Sequence, residues 1–447
     1  MTYEIVIGRS EEDRQNLGLK GTVFLGKHYV KMGRVTSLSN EIYLDITRAH
    51  VLFVCGKRGG GKSYSMGVVA EGMADLPSEI RENLSFILLD TMGVYWTMKY
   101  PNKQDKLLLE EWGFKPKGLN VVIFTPYKFY EAYKAKGIPT DFPFAIKPSE
   151  LSAWDWQLTF DLNPNSAVGV LIERVINRLQ EEQRNYDVSD IISALHAEEH
   201  VDPVTVAAAT NRFESTTQWG VFRREGTSIK DLAMPGQVTV LDVSAYATMP
   251  NGWKIKSLII GLVAQKLFIE RMTSRKFEEF AAVQKSTHFI TDEGTMKLDM
   301  PLVWLVIDEA HEFLPREGAT AATFPLLTIL REGRQPGISL ILASQQPGKI
   351  NTDVMTQADT VISHRITAKV DVDALGMLMQ SYMREGLDVQ LDNLPREKGA
   401  ALIFDDTNER LYAMKVRPRF TWHGGGSPSA LTAPNLNVDQ RVTLKFL

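Results

Sequence analysis

Cysteine is nearly absent from this sequence: Cys55 is the single one in 447 residues. One thiol excludes an intrachain disulfide framework and fits a reducing cytosol. Because Cys55 sits inside an apolar segment, it reads as a buried structural thiol. No apolar run reaches the ~18–20 residues needed to span a bilayer. The longest candidate, SLIIGLVAQKLFI from Ser257 to Ile269, is broken by Gln265 and Lys266. The opening MTYEIVIGRSEEDRQ carries charges where a signal peptide needs an apolar core. Positive charge is not in excess either. The formal net charge is −4, so any contact with nucleic acid must come from a local basic surface. Internal repeats are missing. What is present is the composition of a soluble globular chain, 44% apolar and 23% charged. The expectation is a cytoplasmic protein with no membrane association.

Residues 1–45 hold short alternating stretches (YEIVI, TVFLG, YVKMG, IYLDI) parted by Gly, Asn and Ser, which predict a small β-rich N-terminal module. From His50 the texture changes to continuous apolar runs. These are HVLFVC, FILLD, NVVIF, QVTVLDV, LVWLVIDE, ISLILAS, DTVISHR and AALIF. Runs of that kind fit strands buried on both faces of a mostly parallel sheet. Helical patterns between them, such as Met66–Met73 and Trp253–Arg271, make the fold class α/β. Residues 46–420 form the predicted core, with a helical insertion at about 140–235. A second, charged interruption is expected at 272–301. Residues 421–447 read as a Gly/Pro/Ser-rich linker and tail, ending in RVTLKFL.

GKRGGGKS, from Gly56 to Ser63, fits G-x-x-x-x-G-K-[ST] between a strand and a helix. Its glycines let successive backbone N–H groups turn around a phosphate chain. Lys62 can neutralise the β- and γ-phosphates, and Ser63 can offer a hydroxyl to Mg²⁺. The helix N-terminus adds its positive end. Candidate nucleotide contacts are Gly56, Lys57, Arg58, Gly59, Gly60, Gly61, Lys62, Ser63 and Tyr64. Downstream, LVWLVIDEAHEF ends an apolar strand in Asp308-Glu309. Asp308 can hold Mg²⁺ and Glu309 can polarise an attacking water. In LREGRQPGISLILASQQP, Gln345 at a strand end can sense the γ-phosphate or hold the water. Arg331 and Arg334 are candidates to act on a neighbouring subunit's nucleotide. The cofactors expected are therefore ATP and Mg²⁺. HAEEH, from His196 to His200, matches H-x-x-E-H, a zinc-site pattern. Pro203 follows at once and no third ligand can be picked, so a solvated helix end is the better account.

Taken in order, these blocks resemble the HerA branch of the FtsK–HerA superfamily of P-loop ATPases, from about Val23 to about Arg419. The carriers are YLDITRAHVLFVCGKRGGGKS, DTMGVYW, PGQVTVLDVSAY, IDEAH, REGR, ASQQP and SHRITAKVDVDAL. Asp90 and Tyr95 match the family's second-strand block, while Val94 stands where the family typically has Glu. The resemblance implies a RecA-like core, a homohexamer with ATP between subunits and double-stranded DNA in the central channel. It adds Asp90 and Arg365 to the nucleotide site, with Arg331 or Arg334 acting from the next subunit. It also implies a nuclease (NurA-like) or another effector as partner, in DNA end processing or antiviral defence. The N-terminal module is about half the length of the family's usual barrel. A ring that holds and switches a partner without moving along DNA is the competing reading. Three segments are candidate DNA contacts: QWGVFRREG with Arg223 and Arg224, SRKF (Ser274–Phe277) and TMKLD (Thr295–Asp299). In a hexamer few basic residues per chain would suffice.

Overall fold

A computed structural model describes residues 3–32, 35–182, 185–288, 300–379 and 387–426. TMKLD and RVTLKFL, with most of the predicted linker, lie outside the described residues. All eight runs predicted as core strands are strands. In chain order the elements are β1 (Ile5–Ile7), β2 (Thr22–Met32), β3 (Val35–Asp45), β4 (Val51–Cys55), β5 (Leu84–Asp90), β6 (Val121–Pro126), β7 (Phe142–Phe144), β8 (Val238–Asp242), β9 (Leu302–Ile307), β10 (Ile338–Ser344), β11 (Thr360–His364), β12 (Ala400–Asp405) and β13 (Arg410–Val416). They form one sheet in the order β1-β3-β2-β13-β12-β11-β4-β10-β9-β5-β8-β6-β7. From β11 to β7 every neighbouring pair is parallel. From β11 through β12, β13 and β2 to β3 the pairs are antiparallel.

The continuous apolar runs follow from burial on both faces. In β4, Phe53 and Cys55 join one hydrophobic cluster, and Leu52 and Val54 join the other. The first cluster lies under the helical insertion and the helices Gly252–His288 and Thr323–Glu332. The second lies under the helix Lys62–Ala74 and the N-terminal strands. The insertion is helical as expected, with helices at Ala153–Phe160, Ala167–Glu182, Val188–His196 and Pro203–Thr217.

Three expectations need correction. TVFLG and YVKMG are not separate strands but one, β2, irregular around Gly26. At Gly26 an added Cβ would stand 2.0 Å from the Lys415 carbonyl oxygen, so only glycine lets β13 pair there. The charged stretch after residue 271 is not an interruption, because the helix from Gly252 runs through to His288. Its charges sit on that helix: Arg275 pairs with Glu278 and Glu279, and buried Arg271 with Glu278. SRKF is accordingly helical. β7 and β13 were not anticipated. β13 carries the N-terminal strands into the core sheet, since Met414–Val416 pair with Gly26–His28 of β2.

One buried charge organises this half of the molecule. Glu71, on the helix Lys62–Ala74, is fully buried. Its carboxylate meets Arg417 at 2.8 Å and Arg419 at 3.1 Å, both buried as well. The backbone N–H groups of Phe420 and Thr421 and the Thr421 hydroxyl also donate to it. Arg417 further donates to the carbonyls of Phe24 and Val68. A lone acid in an apolar helix thus ties together β2, the loop helix and the segment after β13. Glu71→Gln is predicted to leave both guanidiniums uncompensated and to lower stability by about 3–5 kcal/mol, read by urea unfolding. A loss below about 1 kcal/mol would show that the network does not anchor the helix.

No helix of the described residues is long and apolar enough to cross a membrane.

Candidate functional site

Parallel strands end together, so the carboxyl ends of β4, β10, β9, β5 and β8 share one edge. The glycine loop leaves β4 at Cys55 and enters its helix at Lys62. Gly61 has φ +117°, a conformation that side chains resist. Beneath the loop lies His364, the last residue of β11 and fully buried. A Cβ at Gly56 would be 2.7 Å from the His364 Cβ, and one at Gly61 would be 3.0 Å from its Cε1. The two glycines therefore let the loop rest directly on the imidazole. His364 Nδ1 lies 3.2 Å from the Ala400 carbonyl oxygen, so it carries the ring proton. Nε2 then accepts the Ser65 hydroxyl at 2.8 Å. Burial pushes the His364 pKa down to about 4, which keeps the ring neutral beneath the loop. The Arg365 carbonyl accepts the Lys57 N–H at 3.2 Å, so Arg365 meets the loop through its backbone.

Next but one to β4 in the sheet, beyond β10, β9 supplies the acids. Asp308 is buried and accepts the Ser63 hydroxyl at 2.8 Å. Burial raises its pKa, the Glu309 charge adds to that, and Ser63 and Lys62 oppose it. Lys62 is itself buried, which lowers its pKa, while Glu309 and Asp308 pull the other way. Glu309 adopts a left-handed conformation, φ +53°, uncommon for a residue with a side chain. Such strain persists where the surroundings over-determine it. Here the Glu309 N–H is fixed on the Asp308 carboxylate at 2.9 Å, and the Gln345 amide donates to Glu309 Oε1. Lys62, Ser63, Asp308, Glu309 and Gln345 are thus brought together from three strand ends.

Other candidates lie differently. Lys57, Arg58 and Gly59 are exposed on the loop, and Gly60 is partly so. Tyr64 faces the segment after β13. Its hydroxyl accepts the Arg419 N–H at 2.7 Å and its ring packs edge-on against His423. The Asp90 carboxylate turns back on its own turn, accepting the N–H groups of Gly93 at 2.7 Å and Tyr95 at 2.8 Å. It is fully buried and in register with Asp242 on β8, and burial with that second charge raises its pKa. Asp90 therefore shapes the edge rather than facing the loop. Arg331 and Arg334 precede β10 and stand at the opposite, amino edge. β10 has seven residues, so roughly 23 Å of strand, at ~3.3 Å per residue, separates them from Gln345.

Sequence reasoning missed His364, although it flagged the neighbouring Arg365. It also missed His311, whose Nδ1 lies 3.2 Å from the Ser344 hydroxyl oxygen. A histidine beside each motif was the available signal. In the proposed DNA segment QWGVFRREG the aromatics pack inward, while Arg223 and Arg224 stay exposed. Trp219 and Phe222 pack with Trp156 and Phe160, Arg223 stacks over the Tyr127 ring, and Arg224 pairs with Asp187 and Asp190. In HAEEH the helix ends at His196, and Glu198 pairs with Arg174 and Arg178.

A parallel sheet with this loop, and with paired acids at the next-but-one strand tip, defines a P-loop ATPase. The sequence profile of the family described as "Helicase HerA, central domain" matches residues 30–254. The chain belongs to this family of HerA-type P-loop ATPases, and it is an ATP-hydrolysing enzyme. It is 23% identical over 377 residues to the Methanocaldococcus jannaschii protein named "Probable DNA double-strand break repair helicase HerA", covering 78% of this chain and 69% of that one. It is 29% identical over 178 residues to the Pyrococcus furiosus "DNA double-strand break repair helicase HerA", covering 38% of this chain and 31% of that one. The solved VirB4 of Thermoanaerobacter pseudethanolicus shares the fold, with a TM-score of 0.54 at 13% identity over 90% of this chain and 97% of that one.

Gly61→Ala is predicted to weaken binding of a non-hydrolysable ATP analogue at least about tenfold, because the left-handed backbone and the His364 ring both oppose a methyl group. Isothermal titration with unchanged affinity would refute this account of the loop.

Proposed function

We propose that this chain acts in the cytoplasm as a subunit of a homohexameric ring that hydrolyses ATP at subunit boundaries and moves along double-stranded DNA. Residues 1–45 would be its small N-terminal module, 46–420 the ATPase core and 421–447 the tail. A nuclease or other effector, in DNA end processing or antiviral defence, completes the reading.

The observation that carries the boundary site is a division of parts. Lys62, Ser63, Asp308, Glu309 and Gln345 converge at the carboxyl edge, whereas the exposed arginines stand at the amino edge. The two arginines are not equivalent. Arg331 is held by Asp353 at 2.6 and 2.7 Å. Arg334 makes no ion pair among the described residues and is the one assigned to act on the neighbouring nucleotide. The DNA reading is supported by the helicase names of the relatives, and by the small number of basic residues each subunit of a ring needs.

On this reading the loop backbone and Lys62 hold the phosphates of ATP. Glu309 orients and polarises the attacking water, and Gln345 reports the γ-phosphate. The residues present fit Mg²⁺: the Ser63 hydroxyl and the Asp308 carboxylate are two hard oxygen donors already 2.8 Å apart beside the loop. Bound there, the ion would neutralise charge on the β- and γ-phosphate oxygens.

Glu309→Gln is predicted to bind ATP but to hydrolyse it at least ~100-fold more slowly. Near-normal turnover would sink the role of Glu309. Linear duplex DNA should stimulate the wild-type rate, with a steep loss as salt rises. A rate indifferent to DNA, with none retained at low salt, would favour the ring that only holds and switches a partner. Mixing Arg334→Ala with Lys62→Ala chains should restore part of the activity, since some boundaries then combine two intact halves. The same mixture made with Arg331→Ala tests the assignment: if Arg331→Ala behaves as the inactive partner and Arg334→Ala is active alone, the two roles are reversed.

A further inference from the structure

Hydrolysis by Glu309, as read above, uses a carboxylate of which only one oxygen has a partner. Oε1 accepts the Gln345 amide. Oε2 is buried and has no hydrogen-bond partner among the described residues. Buried charged acceptors are rarely left bare, so this oxygen points to a group that it serves. The side chain beside it is His311, on the short turn Ala310–Glu312. Nδ1 of His311 lies 3.7 Å from Oε2, too far for a direct bond. Ser344, at the tip of β10, steadies the ring through Nδ1 at 3.2 Å, and the Ser344 oxygen is in turn fixed by the Gln346 N–H at 3.0 Å. The bond to Ser344 is long, and with Nδ1 protonated its one N–H can be shared between Ser344 and a second acceptor.

Two polar atoms separated in this way can share one water at about 2.8 Å from each. The tautomer with Nδ1 protonated allows it: the N–H, shared with Ser344, donates to the water, and the water donates to Oε2. One lone pair of the water oxygen remains free.

We propose that His311 and Glu309 Oε2 together seat the attacking water, so that His311 is a second, previously unassigned catalytic residue for hydrolysis. The water oxygen forms a bond to the γ-phosphorus. The bond from that phosphorus to the β,γ-bridging oxygen breaks, and its electron pair leaves with ADP. The water proton passes to Glu309. His311 acts by fixing where the oxygen stands. The proposal rests on the hydrolytic reading of Glu309.

The test is steady-state ATP hydrolysis by His311→Ala, His311→Asn and Glu309→Gln in the full-length chain. His311→Ala should lower kcat about tenfold, the scale of one lost hydrogen bond in the transition state. KM and the affinity for a non-hydrolysable analogue should stay within about twofold, because the ground state is untouched. His311→Asn, which puts a polar atom near the position of Nδ1, should recover most of kcat. The inference is overturned if His311→Ala keeps its kcat while Glu309→Gln is slow. It is also overturned if kcat, analogue affinity and thermal midpoint fall together in His311→Ala and His311→Asn is no better, for the ring would then be structural. If Glu309→Gln itself turns over normally, the hydrolytic reading fails first and this one with it.

Discussion

The Glu71 carboxylate, buried between the guanidiniums of Arg417 and Arg419, is the contact on which the arrangement of this chain most depends. A charge taken out of water persists only when fully compensated, and here two cations, two backbone N–H groups and a hydroxyl do so. The compensation comes from residues more than three hundred positions away. It draws the end of the described chain against the helix that follows the glycine loop. Arg417 reaches on to the Phe24 carbonyl and so includes the N-terminal strands. The loop therefore sits on a helix held from behind.

From that edge the division of labour follows. β4 carries the loop, β9 the two acids, β10 the glutamine and serine, and β11 a neutral histidine under the loop. Asp308 and Lys62 are both buried, so each raises the energetic stake of the other's charge. Glu309 is held in a strained conformation by its own N–H on Asp308. The opposite edge carries Arg334. The ring is proposed because Arg334 stands at that edge, where it could reach only a neighbouring chain's site.

Much of this was legible in the sequence because it depends on local pattern. The eight doubly buried strands read as apolar runs, and the glycine loop and the Asp308-Glu309 tip read as motifs with a spacing. Most of the insertion read as helix from its long, polar, helix-like segments. What failed to read did so for physical reasons. Residues 272–288 looked like a break, yet i to i+3 and i to i+4 ion pairs let a charged stretch continue a helix past the sheet. In QWGVFRREG the aromatics Trp219 and Phe222 pack inward against Trp156 and Phe160, and Arg224 pairs with Asp187 and Asp190, partners distant in sequence, while Arg223 and Arg224 remain exposed. β7 is three residues long, too short to carry a period.

By itself, then, the sequence determined the α/β class, the order of the core strands along the chain and the identity of the phosphate loop and its acids. Those follow from hydrophobic period and from residue types that must be near one another in the chain. Tertiary structure decided which histidines matter, which of two arginines is already held, and that Asp90 faces its own turn instead of the loop. Each of these depends on what stands across a strand boundary. Register in a parallel sheet is set by long crossovers, so a residue's neighbour on the next strand cannot be read from its neighbours in sequence.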